Sequence, residues 1–392
     1  MAGNEIRIGA LATLVGPFAE MGKDGMRGVE LAISEFGGEI CGKKIRLVKE
    51  SSNAMPEEAY VKAQELVERH RVDFMIGPLS GNEGIAVRDY AKTRPERAFI
   101  NGLAGAQDMT LRDPAPNFYS FTPNGVQFIA GLGSYVYHTQ GYRRVATIAE
   151  DYSYPYSQVG GFMIEFGRAG GKIVRKFWVP LGTVNYRPVI AELPTDIDAI
   201  LVALGGTDAI NFLQQYHEFG GRLPLIGGTI TVDQAVLNTT DALADRIVGM
   251  ASAGPIADDN PDPNWQRFVQ AYRAKFPDGF DSPSLCAHGY YVNTKAALLA
   301  LRSVDADLSN DQARFKAALS KLEFITPTGP VRLDHNRQAI ASIFVKVVDR
   351  RPDGTLYNRL VKTVPYVTNT LGMPEDEYLK IGPLGRDNPA CN

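Results

Sequence analysis

Residues 6–38 read IRIGALATLVGPFAEMGKDGMRGVELAISEFGG, and the order of signals in that stretch decides the fold. A short run rich in apolar and β-branched residues, 6–11, reads as a strand. Gly16 and Pro17 then break the chain. Met26, Val29 and Ile33 follow at three- and four-residue intervals, the period of a helix with one apolar face. Strand, loop and helix in roughly thirty residues make the first half of a βαβ unit.

The same alternation continues outward. Strand candidates recur at 44–49, 74–76, 98–100, 145–149, 173–179, 199–203 and 225–226, and Ala59, Ala63, Leu66 and Val67 repeat the helical spacing between two of them. Helices alternating with short buried strands predict parallel sheets covered on both faces. The pattern runs through two comparable series, about 5–121 and 144–250. The first gives way to FYSFTP at 118–123 and then Asn124, a cap for a helix starting near Gln127. The second breaks at 250–263, where Gly, Pro and Asp gather. Helical patterns at 264–276, 284–301 and 311–322 and a strand-like 341–348 still have to be placed.

A chain of 392 residues exceeds what one core supports. The predicted architecture is therefore α/β, with two doubly wound parallel-sheet lobes joined by three crossover strands near 121, 250 and 330. Lobe one takes 1–121 plus 251–329, and lobe two takes 122–250 plus 330–365. Residues 366–392, with repeated Pro and Gly, are expected as a tail packed on the surface. Open parallel sheets bind ligands beyond the C-terminal ends of their strands, so the site is expected between facing sheet edges.

Composition narrows the function. A formal charge of −3 leaves no basic footprint for nucleic acid, and no apolar run approaches the ~20 residues of a membrane-spanning helix. The search for catalysis finds no GxSxG, HExxH, Walker-type loop or GxGxxG after the first strand. His70, His138, His217, His288 and His335 lie far apart without metal-ligand spacing. Cys41, Cys286 and Cys391 show no CxxC and read as two packing thiols and one on a loose C-terminus. No cofactor, metal or catalytic residue is expected.

Several segments in order resemble the branched-chain amino-acid-binding family of periplasmic proteins. These are the opening stretch, KIRLVKES at 44–51, VDFMIGPLSGN at 72–82, AFINGLAGAQDMT at 98–110 and AEDYSYPYSQVGGF at 149–162. The resemblance covers about 5–348. It implies a type I bilobed fold and a Leu/Ile/Val-binding-protein-like solute carrier, working in the periplasm with an ABC permease and its ATPase as partners and expected as a monomer. The opening MAGNEIRIGAL has no basic or apolar leader region, so the export signal is expected to be absent from this chain. A ligand sensor of the same fold is the alternative.

The strand-end loops supply the candidate site. Ser80, Gly81 and Asn82 precede a helix whose first N–H groups and dipole would cradle an anion. Leu103, Ala104 and Gly105 form a second such loop. From the other lobe, Tyr152 and Tyr154 offer flat apolar faces with polar tips, and the resemblance places a ligand contact at Tyr154. Gly206 and Thr229 end two further strands. Arg187 is a candidate carboxylate partner, and His288 or Tyr291 a candidate wall residue. By resemblance, an amino-acid binder places a carboxylate where this chain has Thr229, and hydroxyls near Gly81 and Gly105. A buried ammonium without an anionic partner costs several kcal/mol. An ordinary amino acid is therefore disfavoured unless Asp208 or Asp233 supplies the charge. The resemblance, whose members with this altered pattern bind aromatic acids, implies a benzoate- or cinnamate-like carboxylate, with which the tyrosines agree.

Overall fold

The computed structural model describes residues 4–238 and 243–391. The chain divides into two compact units, Met1–Asn124 with Asp262–Ala341 and Gly125–Pro261 with Ser342–Asn392, so it passes between them three times.

The first unit opens with β1 (Glu5–Thr13), α1 (Ala19–Glu35), β2 (Glu39–Ile40), β3 (Lys43–Ser52) and α2 (Pro56–Gln64), extended by a π-helical turn. β4 (Phe74–Ile76), α3 (Gly81–Lys92), β5 (Phe99–Ile100) and β6 (Phe118–Tyr119) follow. The second unit runs through α4 (Gly125–Phe128), α5 (Leu132–His138), β7 (Arg144–Glu150), α6 (Ser153–Ala169), β8 (Lys172–Val179) and α7 (Arg187–Ala191). It continues with β9 (Ala199–Ala203), α8 (Gly206–Glu218), β10 (Leu225–Gly227), α9 (Gln234–Leu237), α10 (Ala244–Ile247) and β11 (Ala251–Gly254). The chain returns to the first unit for α11 (Pro263–Lys275), α12 (Leu285–Ser303), α13 (Ser309–Lys321), β12 (Phe324–Thr326) and β13 (Gly329–Leu333). β14 (Ala339–Arg350) starts there and ends in the second unit, followed by β15 (Leu356–Val367) and α14 (Glu375–Leu379).

In the first unit the sheet order is β2-β3-β1-β4-β5-β6, parallel apart from the β2–β3 hairpin, with Ile6 opposite Ile45 and Ile8 opposite Phe74. Leu11, Leu66, Val72, Met75, Val87 and Phe99 belong to its core. On the other side α1 and α12 approach until a Cβ on Gly28 would lie 2.2 Å from the Ala287 carbonyl oxygen. The buried Asp24 carboxylate anchors this pair, accepting from Ser284 N at 3.1 Å and from the Tyr272 hydroxyl.

In the second unit β8, β7, β9, β10 and β11 run parallel in that order, β14 lies antiparallel to β11, and β15 pairs with β14. Ile148, Ile200, Val202, Phe212, Val236 and Val348 lie in its core. Each unit is thus an α/β layer built on a mostly parallel sheet, the fold class expected from the sequence.

The lobe boundaries need correction. Residues 251–261, expected in lobe one, belong to the second unit, because β11 inserts between β10 and β14. Residues 330–341, expected in lobe two, stay with the first unit, where Leu333 pairs with Ala339 and Ser120 bridges Gln338. β11 reads ASAG and carried no branched run that would mark a strand. The helix expected near Gln127 is two, separated where Gly131 takes φ +83°. Cys41 is exposed rather than packed, Cys286 is buried and Cys391 is exposed; all three are free thiols.

Candidate functional site

In the first unit the loops after β4 and β5 are tied together. Leu103 N and Ala104 N donate to the Pro78 carbonyl at 3.0 and 3.3 Å, and a Cβ on Gly84 would sit 2.5 Å from that of Ala104. Ser80, Gly81, Asn82, Leu103, Ala104 and Gly105 are thus brought to one strand-end region of this unit. The helix start is not an empty cradle. Ser80 caps α3 and forms a capping box with Glu83. The Glu83 carboxylate accepts from Ser80 N at 3.0 Å, Thr13 Oγ1 at 3.0 Å and Ala54 N at 3.1 Å. Burial pushes its carboxyl above the usual range, against the pull of those donors. One expected anion donor, the Ser80 N–H, is therefore engaged by the protein itself.

Two braces were not read from the sequence. Asn101 Nδ2 donates to Ala104 O at 2.8 Å and Ser120 Oγ at 3.0 Å, and Asn293 Nδ2 donates to Gly102 O at 3.0 Å. Each asparagine follows ordinary local patterns, and only the fold shows the loop it holds.

On α12 the expected residues face elsewhere. The Tyr291 hydroxyl donates to Glu35 Oε1 at 2.7 Å and accepts from Lys295 Nζ at 2.7 Å. Glu35 ends α1, some 25 Å along the helix from the edge where β1 delivers it, so Tyr291 is withdrawn from the site. Tyr290 takes that place. Its hydroxyl donates to Leu11 O at 2.8 Å and its ring lies under the second loop, 2.3 Å from where a Cβ on Gly102 would fall. His288 is corrected likewise. It packs against Trp265 and Phe268 with Nε2 3.2 Å from Thr328 Oγ1, and burial pulls its pKa down to about 3. It is a neutral core residue.

In the second unit Tyr152 and Tyr154 open α6, both buried. The Tyr154 ring meets Tyr152 and the edge of Phe128, each at 6.4 Å between centroids. Gln158, one turn farther along α6, joins this turn to the loop after β10. It donates from Nε2 to Thr229 Oγ1 at 2.6 Å and accepts Thr229 N at 3.0 Å. Thr229 Oγ1 in turn donates to Ala253 O at 2.7 Å. The Thr229 hydroxyl is therefore committed within the protein.

Gly206 starts α8 at φ +51°, a conformation that favours glycine. The preceding N–H, of Gly205, donates to Glu150 Oε1 at 2.9 Å. Burial, with the charge of Asp208 adding to it, pushes the Glu150 carboxyl well up. Asp208 Oδ2 accepts Gly182 N at 2.7 Å, and burial raises its pKa to about 6. Asp233 caps α9, accepting Ala235 N at 3.1 Å. Both carboxylates offered as alternative charges thus have structural duties. The sequence reading also missed Lys346 on β14, a buried ammonium that donates to Ile256 O at 3.2 Å. Burial pulls its pKa down while Asp258 and Asp233 push it back.

Arg187 is withdrawn. Its guanidinium lies over the Phe219 ring, 4.5 Å from the centroid. Phe219 follows the far end of α8, roughly 20 Å from Gly206, so Arg187 lies at the opposite sheet edge. Among the described residues no His, Cys, Asp and Glu cluster has metal-binding geometry, and no helix is long and apolar enough to cross a membrane.

A family model described as periplasmic binding protein matches residues 5–354. The chain is 32% identical to the ABC transporter substrate-binding protein from Sphaerobacter thermophilus, with a TM-score of 0.83 over 92% of this chain and 98% of that one. It shares the fold of an ABC transporter solute-binding protein from Rhodopseudomonas palustris BisB5 solved with 3,4-dihydroxybenzoic acid. That match has a TM-score of 0.85 and 24% identity, covering 94% and 99% of the two chains. Among curated proteins it is 23% identical over 370 residues, 91% of each chain, to Leu/Ile/Val-binding protein homolog 6 of Brucella melitensis biotype 1.

Proposed function

We propose, from the premise that this chain belongs to the periplasmic binding protein family and is a solute-binding protein of an ABC transporter, that its ligand is a small aromatic carboxylate of the benzoate or cinnamate kind. Family members and neighbours of this type are substrate-binding proteins, not enzymes. Membership implies an extracytoplasmic place of work. A permease and its ATPase are the proposed partners, the periplasm the proposed compartment, and closure of the two lobes the proposed mode of capture. Closure of this kind is a population shift limited by the ligand's preference for the closed state.

The observation that carries the ligand class is Thr229. The position expected to hold an ammonium-binding carboxylate has a neutral hydroxyl already bonded to Gln158 and Ala253. Asp208 and Asp233 are engaged by backbone N–H groups. An α-ammonium buried there would lack a dedicated counter-charge. The paired Tyr152 and Tyr154 rings suit a planar guest instead. The relative solved with a dihydroxybenzoic acid agrees with this reading. The curated relative's name favours the second reading, a branched-chain amino acid.

A thermal-shift and calorimetric screen separates them. At about 100 times its dissociation constant a true ligand adds roughly 2.7 kcal/mol of stability. Hydroxybenzoates, benzoate and coumarate are expected to give that shift and leucine, isoleucine and valine none. Tight leucine binding with no response to the aromatic acids would overturn the proposal.

A further inference from the structure

After β15 the chain stays bound to the second unit. Tyr378 of α14 is fully buried. Leu384 presses on α6 at Gly160, where a Cβ would come within 2.8 Å of it. Lys176 Nζ donates to Pro389 O at 2.6 Å and Trp178 Nε1 donates to Arg386 O at 3.1 Å, which fixes the segment along β8. Asn388 Nδ2 closes it on itself through Ile381 O and Pro383 O, both at 2.8 Å.

At the tip Arg386 forms an ion pair with Asp151. Asp151 is the residue between β7 and Tyr152, the cap of α6. The same carboxylate accepts the Tyr156 hydroxyl, and the Tyr156 ring stands edge-on to Trp178 at 4.9 Å. One acidic side chain is thus held from two sides, by a cation of the C-terminal segment and by a phenol of the tyrosine turn.

We propose that Arg386 is a positioning residue for ligand capture: through Asp151 it holds the turn bearing Tyr152 and Tyr154 in its receiving conformation, and residues 380–391 act as the latch. This rests on the reading that those two tyrosines meet the ligand. The turn's backbone is tied by Asp151 N to Val179 O at 2.8 Å and Tyr152 N to Glu150 O at 3.1 Å, and a side-chain anchor from outside adds to these in narrowing its conformational spread. The ion pair is partly open to water, with side-chain exposures of 57% and 22%. Its effect is therefore modest and salt-sensitive, about threefold in affinity at low ionic strength.

The test uses the full chain as wild type, Arg386→Ala and Arg386→Lys, each first shown to melt cooperatively. Amide exchange is followed over 151–157. Emission is followed from Trp178, whose only companion, Trp265, is fully buried in the first unit. Affinity for 4-hydroxybenzoate is measured at low and high salt. Arg386→Ala is expected to speed exchange in 151–157, shift the emission to the red and weaken 4-hydroxybenzoate about threefold at low salt. Arg386→Lys is expected to restore most of each. Unchanged exchange in Arg386→Ala overturns the latch, and faster exchange with unchanged affinity overturns the positioning role. If wild type takes up no aromatic acid, the ligand reading falls and the positioning role falls with it, while exchange and emission still decide the latch.

Discussion

Asp208 shows how a single buried carboxylate leaves a mark on stability. Burial raises its pKa from 3.8 to about 6 while Gly182 N donates to it. The folded protein then holds a proton that the unfolded chain releases, so stability falls as pH rises from about 4 to about 6 and stays lowered above that range. The pH-dependent loss is on the order of 2 kcal/mol. Asp208→Asn removes the titration, so the difference between urea melts at pH 4 and pH 7.5 is expected to shrink by that amount. An unchanged difference would assign the pH dependence to other groups. Adjacent residues on α12 carry a separate lesson. Tyr290 and Tyr291 are about 100° apart around the helix, so one reaches the strand-end loop and the other reaches Glu35. Nothing in CAHGYY says which tyrosine faces which way, because both faces of α12 are buried.

Among elements, the close crossing of α1 and α12 depends on the absence of side chains. A methyl group at Gly28 would meet the Ala287 backbone oxygen at 2.2 Å, and one at Gly25 would meet the Tyr290 ring at 2.8 Å. Backbone cannot step aside as a flexible side chain can. Gly28→Ala is therefore expected to destabilise by about 1–3 kcal/mol despite alanine's better helix propensity. A denaturant midpoint equal to wild type would show that the helices part without cost. Strands that are compact apolar runs flanked by breakers were legible: 199–203 coincides with β9, and 6–11 and 145–149 lie inside β1 and β7, whereas the twelve-residue β15, largely solvent-facing, was not. β2 and β6, two residues each, and the ASAG strand β11 were not. They are strands because a neighbour supplies hydrogen-bond partners, which is a property of the sheet rather than of the segment.

For the whole molecule, two units and three chain crossings follow from two βα series with unplaced elements after them. The monomer expected from the resemblance predicts one sedimenting species of single-chain mass, with or without 4-hydroxybenzoate. A ligand-dependent dimer would contradict it.

Read alone, the sequence determined the α/β class and the two-series organisation, because strand and helix periodicity and loop composition are local and repeat in order; the family came from the resemblance of its ordered segments. It also marked the loops at 80–82, 103–105 and 152–154 as candidates, since those follow directly from strand ends. The tertiary structure alone decided that Tyr290 rather than Tyr291 meets a loop, that Arg187 and His288 stand apart, that Thr229 is clamped by Gln158, and that residues 251–254 join the second sheet. Those outcomes depend on which distant groups become neighbours once the chain packs, and a side chain's bonding partner is set by that packing rather than by its place in the sequence.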